Sequence, residues 1–376
     1  MSAQEPSTDP SDAVEAAGPR PALDKKKTII GAVIGLVALA LIFLRVIPQI
    51  GSYEDAWVAI QAMTAFDIAL IVIAVLIYNT VYGFPFMAAA PGLPYPRSFQ
   101  LNQGAFAISN GIPAGGAFGL GVQYAMLASY KISPTVATAA IGATGVWSIF
   151  VTLALPIFGL AAIAASGTIS VGPYVYIAVL GFTVLVVMIV VFALVMRSEP
   201  LAARIGGWAN AVGKPLFGLV KKNAPDLVPM VLSFRNDTVA LVSRRWHVIT
   251  VSQVAVSLCQ FGIFFAALRG VEGQGTQTAF LVAFGAWAVA QIGIMIPITP
   301  GGLGTVDAFM IALLTAMGVS TGDATAATLV WRASSFVPQI AIGVLALVTW
   351  SRTAARTFAV TTADAPQQPG DTSVRP

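Results

Sequence analysis

The sequence has little of what soluble enzymes use for chemistry. Its 376 residues include one cysteine, Cys259, and one histidine, His247, and only 10% of them are charged. A lone cysteine excludes an internal disulfide. Zinc sites usually draw several ligands from Cys and His, so no metal centre is expected. His247 lies in Arg244-Arg245-Trp246-His247, the mixture of basic and aromatic residues that favours a membrane edge, which leaves no histidine for a catalytic triad. Soluble domains carry about 25% charged residues. A chain with less than half that share cannot clothe a water-exposed surface of this size. Soluble metalloenzymes, nucleotide-binding enzymes and secreted disulfide scaffolds drop out, and no cofactor is expected.

What the chain has instead is apolar sequence. Hydrophobic residues make up 57% of it and its mean hydropathy is +0.83, the composition of an integral membrane protein. The formal net charge of +4 is not a nucleic-acid signal. Its basic residues gather at the ends of apolar runs and in one polar segment, as topology signals do, with a weak attraction to anionic headgroups as a side effect.

Residues 1–27 are polar and read as a disordered cytoplasmic tail. The apolar run 28–47 follows Lys25-Lys26-Lys27 directly. At about 20 residues it is long enough to cross a bilayer and too long for a signal-peptide core, so an uncleaved first span is expected. Residues 49–64 carry Glu54 and Asp55 and should lie outside, partly as a surface helix. Further plain spans are expected over 65–90, 134–165, 172–196, 246–268 and 324–350, about six in all. Residues 198–245 form a basic cytoplasmic loop, and 352–376 a second disordered cytoplasmic tail. Both termini are therefore expected inside a multi-pass protein of the cell membrane.

Two stretches do not fit plain spans. If Arg97, Lys131 and Arg197 all sit inside, 103–130 must enter and leave on the cytoplasmic side. If Glu272 and Asp323 both sit outside, 279–318 must enter and leave from there. Two broken hairpins of opposite orientation are what an inverted repeat predicts. The expected fold is all-α and polytopic.

Each broken stretch puts glycine and proline at membrane depth. The first holds Asn110, Pro113, Gly115, Gly116, Gly119 and Gly121; the second holds Pro297, Pro300, Gly301, Gly302 and Gly304, then Asp307. Proline removes a backbone donor and glycine frees the dihedrals, so helices break there. Broken backbone at that depth survives only where protein or a wet cavity satisfies it. Half-helix N-termini after such breaks attract anions. Single glycines in spans are usually packing devices; two clusters in corresponding halves favour a cavity.

Ionisable residues inside spans are costly and need a partner or a task. Arg332 lies well inside the last span and Asp307 in the first turn after the second break. They are expected either to pair with each other or to leave Arg332 free to fork onto a lipid phosphate; both hold if Asp307 positions Arg332. Asn110, Gln123 and Tyr124 add neutral polar groups near the first break. Arg97 and Lys131 are candidate charges at the cytoplasmic mouth, with topology anchoring as the plainer role.

These motifs resemble a known family. The run from Asn110 to Tyr124 with Leu127 looks like the Asn…Pro-Gly-Gly…Tyr…Leu element of the flippase-like, lysylphosphatidylglycerol-synthetase transmembrane family. The run from Pro297 through Pro300-Gly301-Gly302-Leu303-Gly304 to Asp307 is similar to its Pro-x-x-Pro-Gly-Gly-Leu-Gly-x-x-Glu signature. Trp331-Arg332 with Pro338 resembles its final Tyr-Arg…Pro element. The resemblance spans about 28–351. Two departures stand out: the first break lacks the Arg and Glu that many members carry, and the second-break acid is Asp307 rather than Glu.

The resemblance implies a stand-alone membrane domain, with no aminoacyl-transferase domain, that translocates an anionic lipid or a polyprenyl-linked headgroup. The headgroup would enter a polar cavity between the breaks, held by half-helix N–H groups and Arg332, with Asp307 as a candidate proton carrier. Its expected partners are membrane lipids and an envelope-synthesis enzyme. Two alternatives stay open: a non-catalytic scaffold or regulatory subunit of envelope lipid or glycan synthesis, and a small-solute transporter. No nucleophile–base constellation appears, so an enzyme is not expected.

Overall fold

A computed structural model describes residues 53–111, 115–167, 175–219, 226–273, 275, 277–296 and 300–363. The first expected span, 28–47, lies outside them. The protein is all-α, and no strand occurs among the described residues. In chain order the helices are α1 (Tyr53–Gln61), α2 (Ala65–Val81), α3 (Phe84–Ala89), α4 (Tyr95–Gly111), α5 (Gly115–Ser129) and α6 (Pro134–Ser166). They continue with α7 (Val175–Arg197), α8 (Glu199–Leu219), α9 (Leu227–Glu272), α10 (Phe280–Ala290), α11 (Thr305–Ala316) and α12 (Thr321–Ala363). Among the described residues, five stretches are long and apolar enough to cross a membrane: Ala65–Ala89, Pro134–Ser166, Val179–Arg197, Leu227–Glu272 and Thr321–Arg352.

Local chemistry sets the helix ends. Thr64 caps α2 by accepting from Asp67 N, while the Asp67 carboxylate accepts from Thr64 N at 2.9 Å, a reciprocal capping box. Ser133 followed by Pro134 opens α6, using a proline where its missing N–H costs nothing. Gly167 closes α6 in the left-handed conformation at φ 68°. Outward faces are apolar: Val179, Leu180, Phe182 and Val187 of α7 are all more than half exposed, which suits lipid and not water.

Two elements differ from the sequence-based expectation. The basic segment 198–245 is helical where the structure describes it, forming α8 and the first turns of α9. Its spacing of apolar and basic residues supports a helix along a surface as well as it supports a loop. At the other end, α12 continues to Ala363, past the boundary expected at Arg352.

Contacts along α12 place α1, α9, α11, α4 and α5 along the bundle. Near its start, Ala326 packs with Ala56 of α1 and Val271 of α9. Further on, Arg332 meets Asp307 and the Phe336 ring meets Phe106 of α4. Gly343 then lies against the Gln103 carbonyl. Thr349 accepts from Gln100 at 2.9 Å, and the Trp350 indole donates to Ser129 at 2.8 Å. The hairpin α4–α5 therefore has its open end beside Trp350 and its tip near Phe336. The hairpin α10–α11 has its tip at the same level, and its open end lies where α11 turns into α12. The two hairpins enter the bundle from opposite ends.

The ends also differ in charge. Arg97, Lys131 and Arg352 gather near Trp350, and Arg245 joins that end by donating to the Ala88 carbonyl at 3.2 Å. Asp55, Asp67, Glu272 and Asp323 mark the opposite end. Each hairpin has its own apolar core. One joins α2, α9, α10, α11 and α12 around Phe264, Trp287, Met310 and Trp331. The other joins α3, α4, α5, α6 and the first half of α9 around Leu101, Met126, Leu127 and Trp147.

Candidate functional site

A cavity of about 670 Å³ lies between these two cores, within the roughly 300–1,000 Å³ typical of small-molecule sites. Residues from both breaks reach it: Asn110 and Gly116 from the first, Gly301 from the second. The breaks touch. A Cβ on Gly301 would lie 2.7 Å from Asn110 Oδ1 and 3.0 Å from the Phe336 ring. Gly301 also has φ 60°, so the position needs glycine both for its dihedral and for the approach.

Arg332 is the only formally charged side chain lining the cavity among the described residues. It is 8% exposed and Asp307 1%. Its Nε donates to Asp307 Oδ1 at 2.5 Å and its Nη2 to the Gly302 carbonyl at 3.3 Å. Its guanidinium carbon sits 4.5 Å from the Trp331 ring centroid and 5.0 Å from that of Phe336. The other oxygen of Asp307 accepts from Gly304 N at 2.6 Å.

This geometry revises one expectation. The N-terminus of α11 is already met by the protein's own carboxylate, so it is not a vacant anion site. Asp307 and Arg332 pair with each other, and the guanidinium also reaches the Gly302 carbonyl.

The remaining candidates separate. Gln123 lines the cavity with Asn110, Gly116, Gly301 and Arg332. Gly115 is buried against the Ile108 carbonyl inside the first hairpin. Gly302 and Gly304 shape the second break at φ 66° and 83° and serve the ion pair through their backbones. Pro300 opens the short turn Pro300–Gly302, and Pro113 lies outside the described residues. Tyr124 is turned away, exposed and donating to Thr138 at 3.3 Å. Arg97 stacks 5.4 Å from the Tyr130 ring centroid, and Lys131 is exposed in the following turn at φ 62°. Both mark the open end of the first hairpin and neither reaches the cavity.

Sequence reasoning missed most of the polar wall. Thr144, Ser148 and Thr152 line the cavity from α6; Gln253, Ser257 and Gln260 line it from α9, and Gln291 from the turn after α10. Their spacings of three and four residues place each trio on one helix face, a signal visible in the sequence but unclaimed. The two walls are tied together where Gln253 donates to the Thr144 carbonyl at 3.1 Å and Trp147 to Thr250 at 2.7 Å.

A "UPF0104 membrane protein" of the archaeon Methanothermobacter thermautotrophicus is 27% identical over 336 residues, covering 86% of this chain and 95% of the relative. Residues 28–343, which include both breaks and Arg332, match the family described as the lysylphosphatidylglycerol synthase TM region. The protein is a multi-pass, all-helical membrane protein and belongs to this lipid-related transmembrane family.

Proposed function

We propose that the protein moves a lipid with an anionic headgroup across the cell membrane, the headgroup passing through the polar cavity while the hydrocarbon stays in the bilayer. The observation that carries this reading is the placement of Arg332. A guanidinium inside a membrane protein is expensive; this one is positioned by Asp307 and still borders a cavity of about 670 Å³. A purely structural element at this position could be apolar side chains of similar volume at little or no cost in stability. Two hairpins from opposite ends, meeting at Gly301 and Asn110, supply the paired elements that rocking across a central site requires. The basic end is the cytoplasmic one in this reading, which puts the C-terminus inside.

The test uses proteoliposomes of phosphatidylcholine with a labelled anionic lipid in both leaflets and an external quencher. With the native chain, the fraction protected in the inner leaflet should disappear. Arg332→Ala and Asp307→Asn, checked for folding, should keep it. Equal protection in all samples, for phosphatidylglycerol and for a polyprenyl phosphate, would rule out passive movement of these lipids and bring forward the basic helix α8 as a docking surface for an envelope-synthesis enzyme.

A further inference from the structure

The cavity's hydrogen-bonding inventory narrows the headgroup. Side-chain amides that donate to backbone carbonyls must present their oxygens elsewhere. Asn110 donates to Phe106 O at 3.2 Å, Gln253 to Thr144 O at 3.1 Å and Gln291 to Trp287 O at 3.3 Å. Each keeps its amide oxygen as an acceptor, and all three residues line the cavity. Asn102 supplies the opposite group. It lines the cavity at 8% exposure, and its Nδ2 is buried without a hydrogen-bond partner. A buried donor of this kind is costly unless something fills it. Arg332 adds charged donors, but Asp307 directly behind it offsets much of the charge.

These facts discriminate among headgroups. A bare phosphate only accepts, and would leave the amide oxygens unmet. An ammonium group would find acceptors but no free carboxylate, since no acidic side chain lines the cavity among the described residues, and an unpaired buried charge is strongly disfavoured. Hydroxyl groups both donate and accept, so they suit a wall that carries amide oxygens beside the Arg332 donors. The aromatic wall of Tyr82, Phe106 and Phe336, with successive ring centroids 5.9 and 5.5 Å apart, offers apolar faces to the C–H surface of such a group.

A second feature continues from the cavity. An apolar groove of about 430 Å³ runs between α6, α9 and α10, and it shares Val151, Leu155 and Ser257 with the cavity. Phe158, 62% exposed, and Leu258, 50% exposed, line it from the outer face of the bundle. One amphipathic molecule can therefore place its head in the cavity and its chain in the groove.

We infer that the headgroup is a hydroxyl-rich phosphodiester, a glycosyl or polyol phosphate with a single negative charge, whose hydrocarbon chain lies in the groove between α6, α9 and α10. The inference rests on the cavity being the lipid site proposed above, but it concerns recognition and not movement.

The full chain in detergent, titrated with defined lipids and read by native mass spectrometry, tests it. Polyprenyl-phosphohexose and phosphatidylinositol should each bind about tenfold more tightly than phosphatidate, equivalent to about 1.4 kcal/mol. Lysylphosphatidylglycerol should bind no better than phosphatidylcholine, and free hexose 1-phosphate at least tenfold more weakly than its chain-bearing form. Gln260→Leu should bring the preference over phosphatidate toward one. Gln260→Glu, which adds a carboxylate to the cavity, should weaken the phosphohexose lipid and admit the lysyl headgroup; its thermal unfolding reports that it is folded. Tightest binding of phosphatidate or of the lysyl lipid to the native chain would overturn the headgroup assignment, as would an unchanged preference in both Gln260 variants. Equal binding of free and chain-bearing hexose phosphate would overturn the groove. Selective binding without transport would sink only the translocation reading; transport with no preference for hydroxylated heads would sink only this one.

Discussion

Arg332 and Asp307 show how one side chain can be costly to the fold and needed by the site. Breaking a buried pair by removing one partner leaves an uncompensated charge and costs about 3–5 kcal/mol, whereas replacing both with apolar residues of similar size is often neutral. Arg332→Met and Asp307→Leu should therefore each lower thermal stability by an amount in that range, and the double variant should recover most of the loss. The double variant should still fail to abolish lipid protection in proteoliposomes, which would separate the pair's structural cost from its role. If the double variant unfolds as readily as either single one, the pair is needed for the fold itself. Gly301 is the second residue whose demand is local. At φ 60° an alanine costs about 1–2 kcal/mol, and its Cβ would press on Asn110 Oδ1 at 2.7 Å. Gly301→Ala should reduce lipid transport more than it reduces the melting temperature, because the contact between the two tips is what it disturbs.

Among the helices, backbone approach decides which substitutions matter. A Cβ on Gly343 would run into the Gln103 carbonyl, so α4 and α12 can pack as they do only with glycine there. Gly207, on α8, has no neighbour within 4 Å. Gly343→Val should cost about 1–3 kcal/mol through overpacking, while Gly207→Ala should stabilise by about 1 kcal/mol through helix propensity; thermal unfolding in detergent measures both. The same contrast explains what was legible in the sequence. Plain spans were readable because length and hydropathy alone define them. The breaks were readable because Pro300, Gly301 and Gly302 have no other good use at that depth, and Arg332 with Asp307 because buried charges require company. The wall formed by Thr144, Ser148, Gln253 and Gln260 was not, because isolated threonines and glutamines in a span read equally as helix-to-helix hydrogen bonds. Only the meeting of α6 with α9 turns two polar stripes into one surface. Tyr124 failed in the opposite sense: its distance along the chain from Asn110 suggested the cavity, but its place on α5 aims it at Thr138.

Across the whole molecule, the charge bias and the contact order along α12 make one joint claim. The contacts place Ser129 beside Trp350 and Ala326 beside Val271, so the open ends of the two hairpins lie at opposite ends of the bundle whatever surrounds it. By the distribution of basic residues, the end near Trp350 is the one expected to face the cytoplasm. Cys259 makes this easy to test, because it is the only cysteine in the chain and Cys259→Ser leaves a thiol-free background. Single cysteines at Ala128 and Ser351, both exposed at the basic end, should react with a membrane-impermeant maleimide only after cells are permeabilised. Cysteines at Gln61 and Gln277, exposed at the acidic end, should react in intact cells. Reaction of Ala128 and Gln277 from the same side would mean that the bundle does not cross the membrane along α12, and a cavity between two opposed hairpins would then have no second side to deliver to. Reaction from opposite sides places Arg332 about nine residues, or roughly 14 Å of helix, from the level of Asp323 and about twice that from Arg352. That is deep enough that a headgroup reaching it from the cytoplasmic end would have to pass the full length of the first hairpin.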